Sequence, residues 1–161
     1  MTLAERVADT WYGLLDRIRH AEAGRVSAGP GRSFDALEGH QHCLVVTYRR
    51  SGEGVPTPVW FGLADGKVYF RTEERVAKTR RIRANDRVVV APCDSRGKPL
   101  GAGVEGRARV LGPADEAHAE SAIQANFGVG RRLYKAASNL GSPMVYVEVT
   151  PVPSDENEAA A

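Results

Sequence analysis

The residues best suited to chemistry lie between positions 57 and 83. A run Thr57-Pro58-Val59-Trp60-Phe61 is followed by Tyr69-Phe70-Arg71-Thr72, and then by Val76-Ala77-Lys78-Thr79-Arg80-Arg81-Ile82-Arg83. The first two runs have strand composition and the third has helix composition. A strand end that meets a helix N-terminus is an anion site: free backbone N–H groups, a hydroxyl at Thr72 or Thr79 and the Lys78 ammonium can converge on one phosphate. Aromatic side chains on the preceding strand, Trp60 above all, offer a flat apolar surface beside it. Each feature alone also fits a plainer role, Trp60 as core and the basic helix as a solvated face. Together they describe a site for a planar cofactor that carries a phosphate.

Other motifs fail on context. Gly101-Ala102-Gly103-Val104-Glu105-Gly106 spells GxGxxG, but a dinucleotide fingerprint follows a strand and opens a helix. Here the string leaves a Gly/Pro turn and runs into a segment alternating with period two. The sequence contains no GxxxxGK[ST] and no GxSxG. Of the four histidines, His40 and His42 are two apart and close to Cys43, yet no further cluster completes the three or four ligands of a metal site. No metal is expected. Two cysteines, Cys43 and Cys93, do not form a disulfide framework and read as buried thiols.

These residues must be held by a frame, and hydropathy patterning supplies one. Segments 43–50, 55–64 and 67–73 are rich in β-branched and aromatic residues, and the turns between them, 51–54 and 64–66, carry hairpin chemistry. The basic segment 75–85 reads as a helix linking two strands. Strands 87–94 and 103–111 follow. In the second, Val104, Gly106, Ala108 and Val110 face one way and Glu105, Arg107 and Arg109 the other, so one face is buried and one is wet. Helices are expected over 113–126 and 128–140, and a last strand over 144–152. Before all of these, Leu3, Val7, Trp11, Leu14, Leu15 and Ile18 mark an amphipathic helix. The expected fold is mainly β: a six-stranded antiparallel barrel or sandwich with peripheral helices. The expected organisation is an N-terminal helical arm over 1–39, a barrel domain over 40–152 and a disordered acidic tail over 153–161.

Composition sets outer limits. The 161 residues are 42% hydrophobic and 26% charged, average for a globular domain. There is no apolar run approaching the ~20 residues of a transmembrane helix and no apolar leader, so a cytoplasmic protein is expected. The net charge is only +2, but half of the 22 basic residues fall between Arg71 and Arg109. Exposed aromatics interleaved with the basic residues would mark a nucleic-acid binder, and segment 75–87 has none. A small anionic ligand fits better than a polymer.

The run TPVWFGLADGKVYFRTEERVAKTRRIRANDRVVVAPCDSRGKPLG, followed by VEGRARVL and GVGRRLYKAASNL, resembles the pyridoxamine-phosphate-oxidase-like split-barrel flavoproteins. Within them it is most similar to the deazaflavin-dependent branch, whose cofactor is coenzyme F-420, an 8-hydroxy-5-deazaflavin. The resemblance covers about residues 40 to 152. It implies a split barrel of the FMN-binding type and a homodimer with cofactor sites at the interface. It also implies an oxidoreductase passing a hydride between reduced deazaflavin and an organic acceptor. An FMN-binding oxidoreductase, or a non-catalytic carrier of flavin, haem or tetrapyrrole, is the alternative in the same fold. By the resemblance, Lys78 matches the lysine that binds the cofactor phosphate, with Thr79 after it and Thr72 ending the preceding strand. Thr57, Pro58, Val59 and Trp60 match the strand lining the ring, and Arg71 is a candidate for the cofactor tail. Many relatives carry Arg or Ser two positions before the lysine, where this chain has Val76. The substrate-binding motif of true pyridoxamine phosphate oxidases is not recognisable, which argues against vitamin-B6 oxidation. Tyr48 and Tyr69 are candidate proton donors, and spacing selects neither.

Overall fold

A computed structural model describes residues 21–127 and 142–152. The arm helix, the helix expected over 128–140 and the acidic tail lie outside the described residues. Six strands form where β-branched residues alternate: β1 (His42–Tyr48), β2 (Gly54–Ala64), β3 (Lys67–Glu73), β4 (Arg87–Cys93), β5 (Val104–Val110) and β6 (Met144–Pro151). Two α-helices are described, α1 (Ala77–Ala84) and α2 (Glu116–Phe127), with short 3-10 turns at Ala21–Arg25, Asp35–Leu37 and Pro113–Asp115.

All neighbouring strands are antiparallel, and they close a barrel in the order β1-β2-β3-β6-β5-β4. The expected six-stranded antiparallel barrel is therefore the observed one. Asp65 and Gly66 both have positive φ, 54° and 73°, the two-residue turn whose twist matches a tight β2–β3 hairpin. The alternation read in β5 holds: Val104, Gly106 and Ala108 are buried, while Arg107 and Arg109 are exposed. Inward residues of every strand, including Cys43, Phe61, Val68, Phe70 and Val147, form one core, to which Ile82 of α1 and Phe34 and Leu37 of the preceding segment also belong. Burying one such large side chain contributes about 1.5–3 kcal/mol.

Helix α2 lies on the outer surface of β2, β3 and β6, where Ala119, Ala122 and Ile123 pack on Tyr69 and Tyr146. Gly62 makes that approach possible, because a Cβ there would stand 2.1 Å from the Ala122 carbonyl oxygen. Asn126 then fastens the helix end, its Nδ2 donating to the carbonyls of His40 and Phe61 at 2.9 Å each. On the β5 side, Gly29 N–H donates to the Gly103 carbonyl at 2.7 Å and fixes the course of the segment before β1.

Candidate functional site

The frame has a gap where the sequence places the chemistry. Strand β2 pairs with β1 along 54–60, but with β3 only along 61–64. Beyond Phe70, β3 leaves β2 and continues against β6 as far as Glu73 opposite Met144. Residues 54–60 therefore have an edge with which no strand pairs among the described residues. The Val55 carbonyl accepts from the Thr47 hydroxyl of β1, so it points away from this edge. Backbone directions alternate along a strand. The carbonyls of Pro56 and Pro58 then face the gap. The two prolines have no N–H to lend to a ladder, which suits them to an edge. The gap is rich in acceptors and can receive a planar group that offers ring N–H donors.

At the far side of the gap β3 turns into α1. Val76 is the N-cap, with extended φ/ψ and no side-chain cap, and the first intrahelical bond runs from Arg80 N–H to the Val76 carbonyl. The amides of Ala77, Lys78 and Thr79 thus belong to the first turn, whose N–H groups have no intrahelical acceptor. Lys78 is half-buried, and its Nζ stands 5.5 Å from the centre of the buried Phe70 ring. Its charge is felt at Cys43, whose thiol burial pushes well up and Lys78 pulls back down. The Thr79 hydroxyl donates to the Glu73 carbonyl at 2.7 Å and ties the helix start to the strand end. Thr72 is buried.

The remaining expected residues divide between two faces. Thr57 stands opposite Val45 and Val59 opposite Cys43 on the inner face, with Val59 part of the core. Pro58 and Trp60 stand on the outer face, opposite Leu44 and His42. Trp60 stacks on Phe127 of α2 at 4.8 Å, and its indole Nε1–H donates to Nε2 of His42 at 2.7 Å. Arg71 lies on the outer face of β3 with its guanidinium 5.9 Å from the Tyr146 ring centre. Tyr146 in turn donates its hydroxyl to Glu120 of α2, a buried carboxylate that also accepts from Gln124.

Many arginines of the basic stretch are engaged locally. Arg83 meets Glu74 at 3.5 Å, Arg87 meets Glu105 at 3.3 Å, Arg107 meets Asp86 at 2.9 Å and Arg109 meets Glu148 at 3.2 Å. Arg81 donates to the Thr47 hydroxyl at 2.7 Å, pinning α1 to β1. Arg75 and Arg80 are exposed at the start of α1. Composition does not show this pairing, because it depends on how the fold sets strands and connecting loops beside one another.

The two candidate proton donors sit apart. Burial, and then the Glu148 carboxylate to which its hydroxyl donates at 2.9 Å, push Tyr69 up to about 12. Tyr48 lies under the Arg87 guanidinium at 4.6 Å. It lines a cleft of about 690 Å³ between residues 21–28 and the outer face of the β1–β2 hairpin, to which Lys78 does not contribute. No group of three or more His, Cys, Asp or Glu among the described residues is placed to hold a metal ion. No helix among them is long and apolar enough to cross a membrane.

A closed antiparallel barrel of six strands, split between β2 and β3 and followed there by a helix with a basic first turn, defines the class of split-barrel cofactor-binding proteins. The chain belongs to the pyridoxamine 5'-phosphate oxidase family, whose model matches residues 32–152. Solved structures share the fold at low identity. An FAD-binding protein from Mesorhizobium loti is 18% identical, with 73% of this chain and 84% of that one covered and a TM-score of 0.54. The heme storage protein HutZ from Vibrio cholerae is 10% identical, covering 74% and 87% with a TM-score of 0.57. A conserved hypothetical protein from Mycobacterium tuberculosis is 15% identical, covering 84% and 86% with a TM-score of 0.57. No curated protein matches the sequence.

Proposed function

We propose that the chain is an oxidoreductase that binds deazaflavin coenzyme F-420 in the gap between β2 and β3 and moves a hydride between it and an organic acceptor. The observation that carries this reading is the acceptor-lined edge of β2 running beside Lys78 and the first turn of α1. Deazaflavin, with carbon where flavin has N5, supplies two electrons as hydride when bound. The chain's own residues bind and orient. The carbonyls of Pro56 and Pro58 accept from the ring edge, and the Lys78 ammonium with the first-turn amides of α1 holds the phosphate. The apolar wall formed by Trp60 and Phe127 keeps water from one side. The residues assigned to the cofactor are Thr57, Pro58, Val59, Trp60, Arg71, Thr72, Lys78 and Thr79. Val59, with its side chain in the core and its backbone turned toward β1, contributes by fixing the strand, and Thr79 through its amide.

The choice of deazaflavin over FMN rests on the resemblance of residues 40 to 152 and on charge beyond the first phosphate. FMN ends in one phosphate, whereas the deazaflavin continues through a phosphodiester into several glutamates. Arg75 and Arg80, exposed at the start of α1, extend positive potential in that direction. Fluorescence titration of the apo-protein with both cofactors should show tighter binding of the deazaflavin. The preference should shrink at high salt, since exposed charges are screened over about 8–10 Å at 0.1–0.15 M ionic strength and over less above it. Tighter FMN binding at both salt levels would refute the assignment. The runner-up is then an FMN enzyme or a flavin or haem carrier in the same barrel. We also propose a homodimer with the cofactor sites at its interface, and a cytoplasmic location.

A further inference from the structure

We infer that His42 is the positioning residue for Trp60, and that its neutral imidazole holds the indole as a proton-sensitive wall of the cofactor gap. The inference goes beyond the cofactor assignment, but it rests on that reading where it speaks of the gap. The geometry is explicit. His42 and Trp60 are partners in the β1–β2 register on the outer face, 18 residues apart along the chain. Their rings meet edge to face, with centroids 6.2 Å apart at 72°. The indole N–H can only donate, so Nε2 of His42 must be a lone pair and the ring proton must sit on Nδ1. Protonation gives the ring its second N–H, now on Nε2, and two donors then face each other across 2.7 Å. The bond cannot survive that change, so the indole must turn or move away. Phe127, stacked on the other side of Trp60, couples such a movement to the end of α2. Trp60 is also where β2 parts from β3, so the hinge of the gap and the acceptor imidazole are neighbours.

Among the described residues, the groups that face the imidazole are Asp94 and the Cys93 thiol at the end of β4, the indole on β2, and through it the uncharged Phe127 of α2. Burial lowers the His42 pKa and Asp94 raises it, with burial the larger effect, so the change of state falls below the ordinary value of about 6.5. The neutral state, and the Trp60 bond with it, is complete above that value and is lost as pH falls through the folded one.

Two-dimensional ¹H–¹⁵N spectra of the full chain test the coupling directly. The sequence has two tryptophans, and Trp11→Phe assigns the Trp60 indole resonance. That resonance should be protected from exchange at pH 7.5 and should shift and lose protection with one midpoint below 6.5, matching the midpoint of the His42 imidazole. In His42→Gln, whose amide oxygen can accept the same bond at every pH, the indole signal should stay in place across the range. An indole signal indifferent to the His42 titration, or the same pH step in His42→Gln, overturns the inference. FMN affinity gives the second readout. It should fall by up to tenfold per pH unit below the midpoint in the wild type relative to His42→Gln, and parallel profiles in the two proteins overturn the inference. If neither FMN nor the deazaflavin binds at any pH, the proposed function falls, and the indole titration still decides the role of His42.

Discussion

Lys78 is the most direct lever on the proposed site. Its ammonium stands half-buried at the rim of the gap, 5.5 Å from the Phe70 ring centre, with its stem laid toward that ring. Two losses follow Lys78→Ala. A charge-assisted hydrogen bond to the cofactor phosphate contributes about 1.5–3 kcal/mol, which is about 10- to 150-fold in affinity. The cation–π contact adds about 0.5–1 kcal/mol to stability at an exposed site, a small share of the total stability of a domain. Lys78→Met separates the two, since it keeps an apolar stem near Phe70 and removes only the charge. Both variants should therefore bind FMN and the deazaflavin about 10- to 150-fold more weakly, with melting temperatures a few degrees below wild type at most. Lys78→Arg should recover part of the loss. The assay is fluorescence titration of each apo-protein with both cofactors at fixed ionic strength. Affinity of Lys78→Met within twofold of wild type for both ligands would remove Lys78 from the site, and with it the placement of the phosphate at the start of α1.

Gly62→Ala should cost several kcal/mol and loosen α2, because its Cβ meets the Ala122 backbone at 2.1 Å and no side-chain rotation relieves that contact; a melting temperature equal to wild type would show that α2 sits elsewhere in solution. At the acid end, burial pushes the Glu148 carboxyl up, while Tyr69, Arg109 and Lys67 outweigh it and hold the pKa below the ordinary value. Its contribution to stability is thus complete above the unfolded value of about 4.3 and is lost as pH falls below it; Glu148→Gln should flatten that limb of the stability curve, measured by denaturant titration. At the alkaline end, Tyr69 favours folding below about pH 10 and loses that effect as pH rises toward its folded value of about 12; Tyr69→Phe should remove this part of the alkaline destabilisation. Light scattering should give about 35 kDa, twice the 17.4 kDa chain, as expected for a closed two-fold dimer, and a monomer at all concentrations would argue against interfacial sites.

The strands and their hairpins were legible because period-two alternation and the Asp65-Gly66 turn are local signals. The closing pairs β1–β4 and β3–β6 were not, since partners far apart in sequence leave no mark on either segment. The gap was legible only as a coincidence of an aromatic strand and a basic helix; the early parting of β2 and β3 is a matter of register. The basic stretch looked like a surplus of charge, and the structure shows part of it, Arg83, Arg87, Arg107 and Arg109, answered by Glu74, Asp86, Glu105 and Glu148. The His42–Trp60 bond was missed, although a signal existed. Centring the first hairpin on Ser51 sets Tyr48 opposite Gly54 and carries the register back to His42 opposite Trp60. In the sequence this histidine stands out for His40 and Cys43, its neighbours along the chain, and not for the residue across from it.

The order of the strands around the barrel also bears on how the chain comes to be folded. Strands β1, β2 and β3 are joined by short turns and can pair as soon as they exist, on the microsecond scale of hairpins. The seam between β3 and β6 joins residues such as Val68 and Val149, roughly 80 positions apart, and contacts that distant are slow to form because the intervening chain must first give up its freedom. During synthesis, therefore, both walls of the gap and the start of α1 leave the ribosome before the strand that closes the barrel is made. Until β6 arrives, β3 carries a bare edge along Val68–Glu73, and the half of the molecule that holds the gap waits on the half that holds it shut.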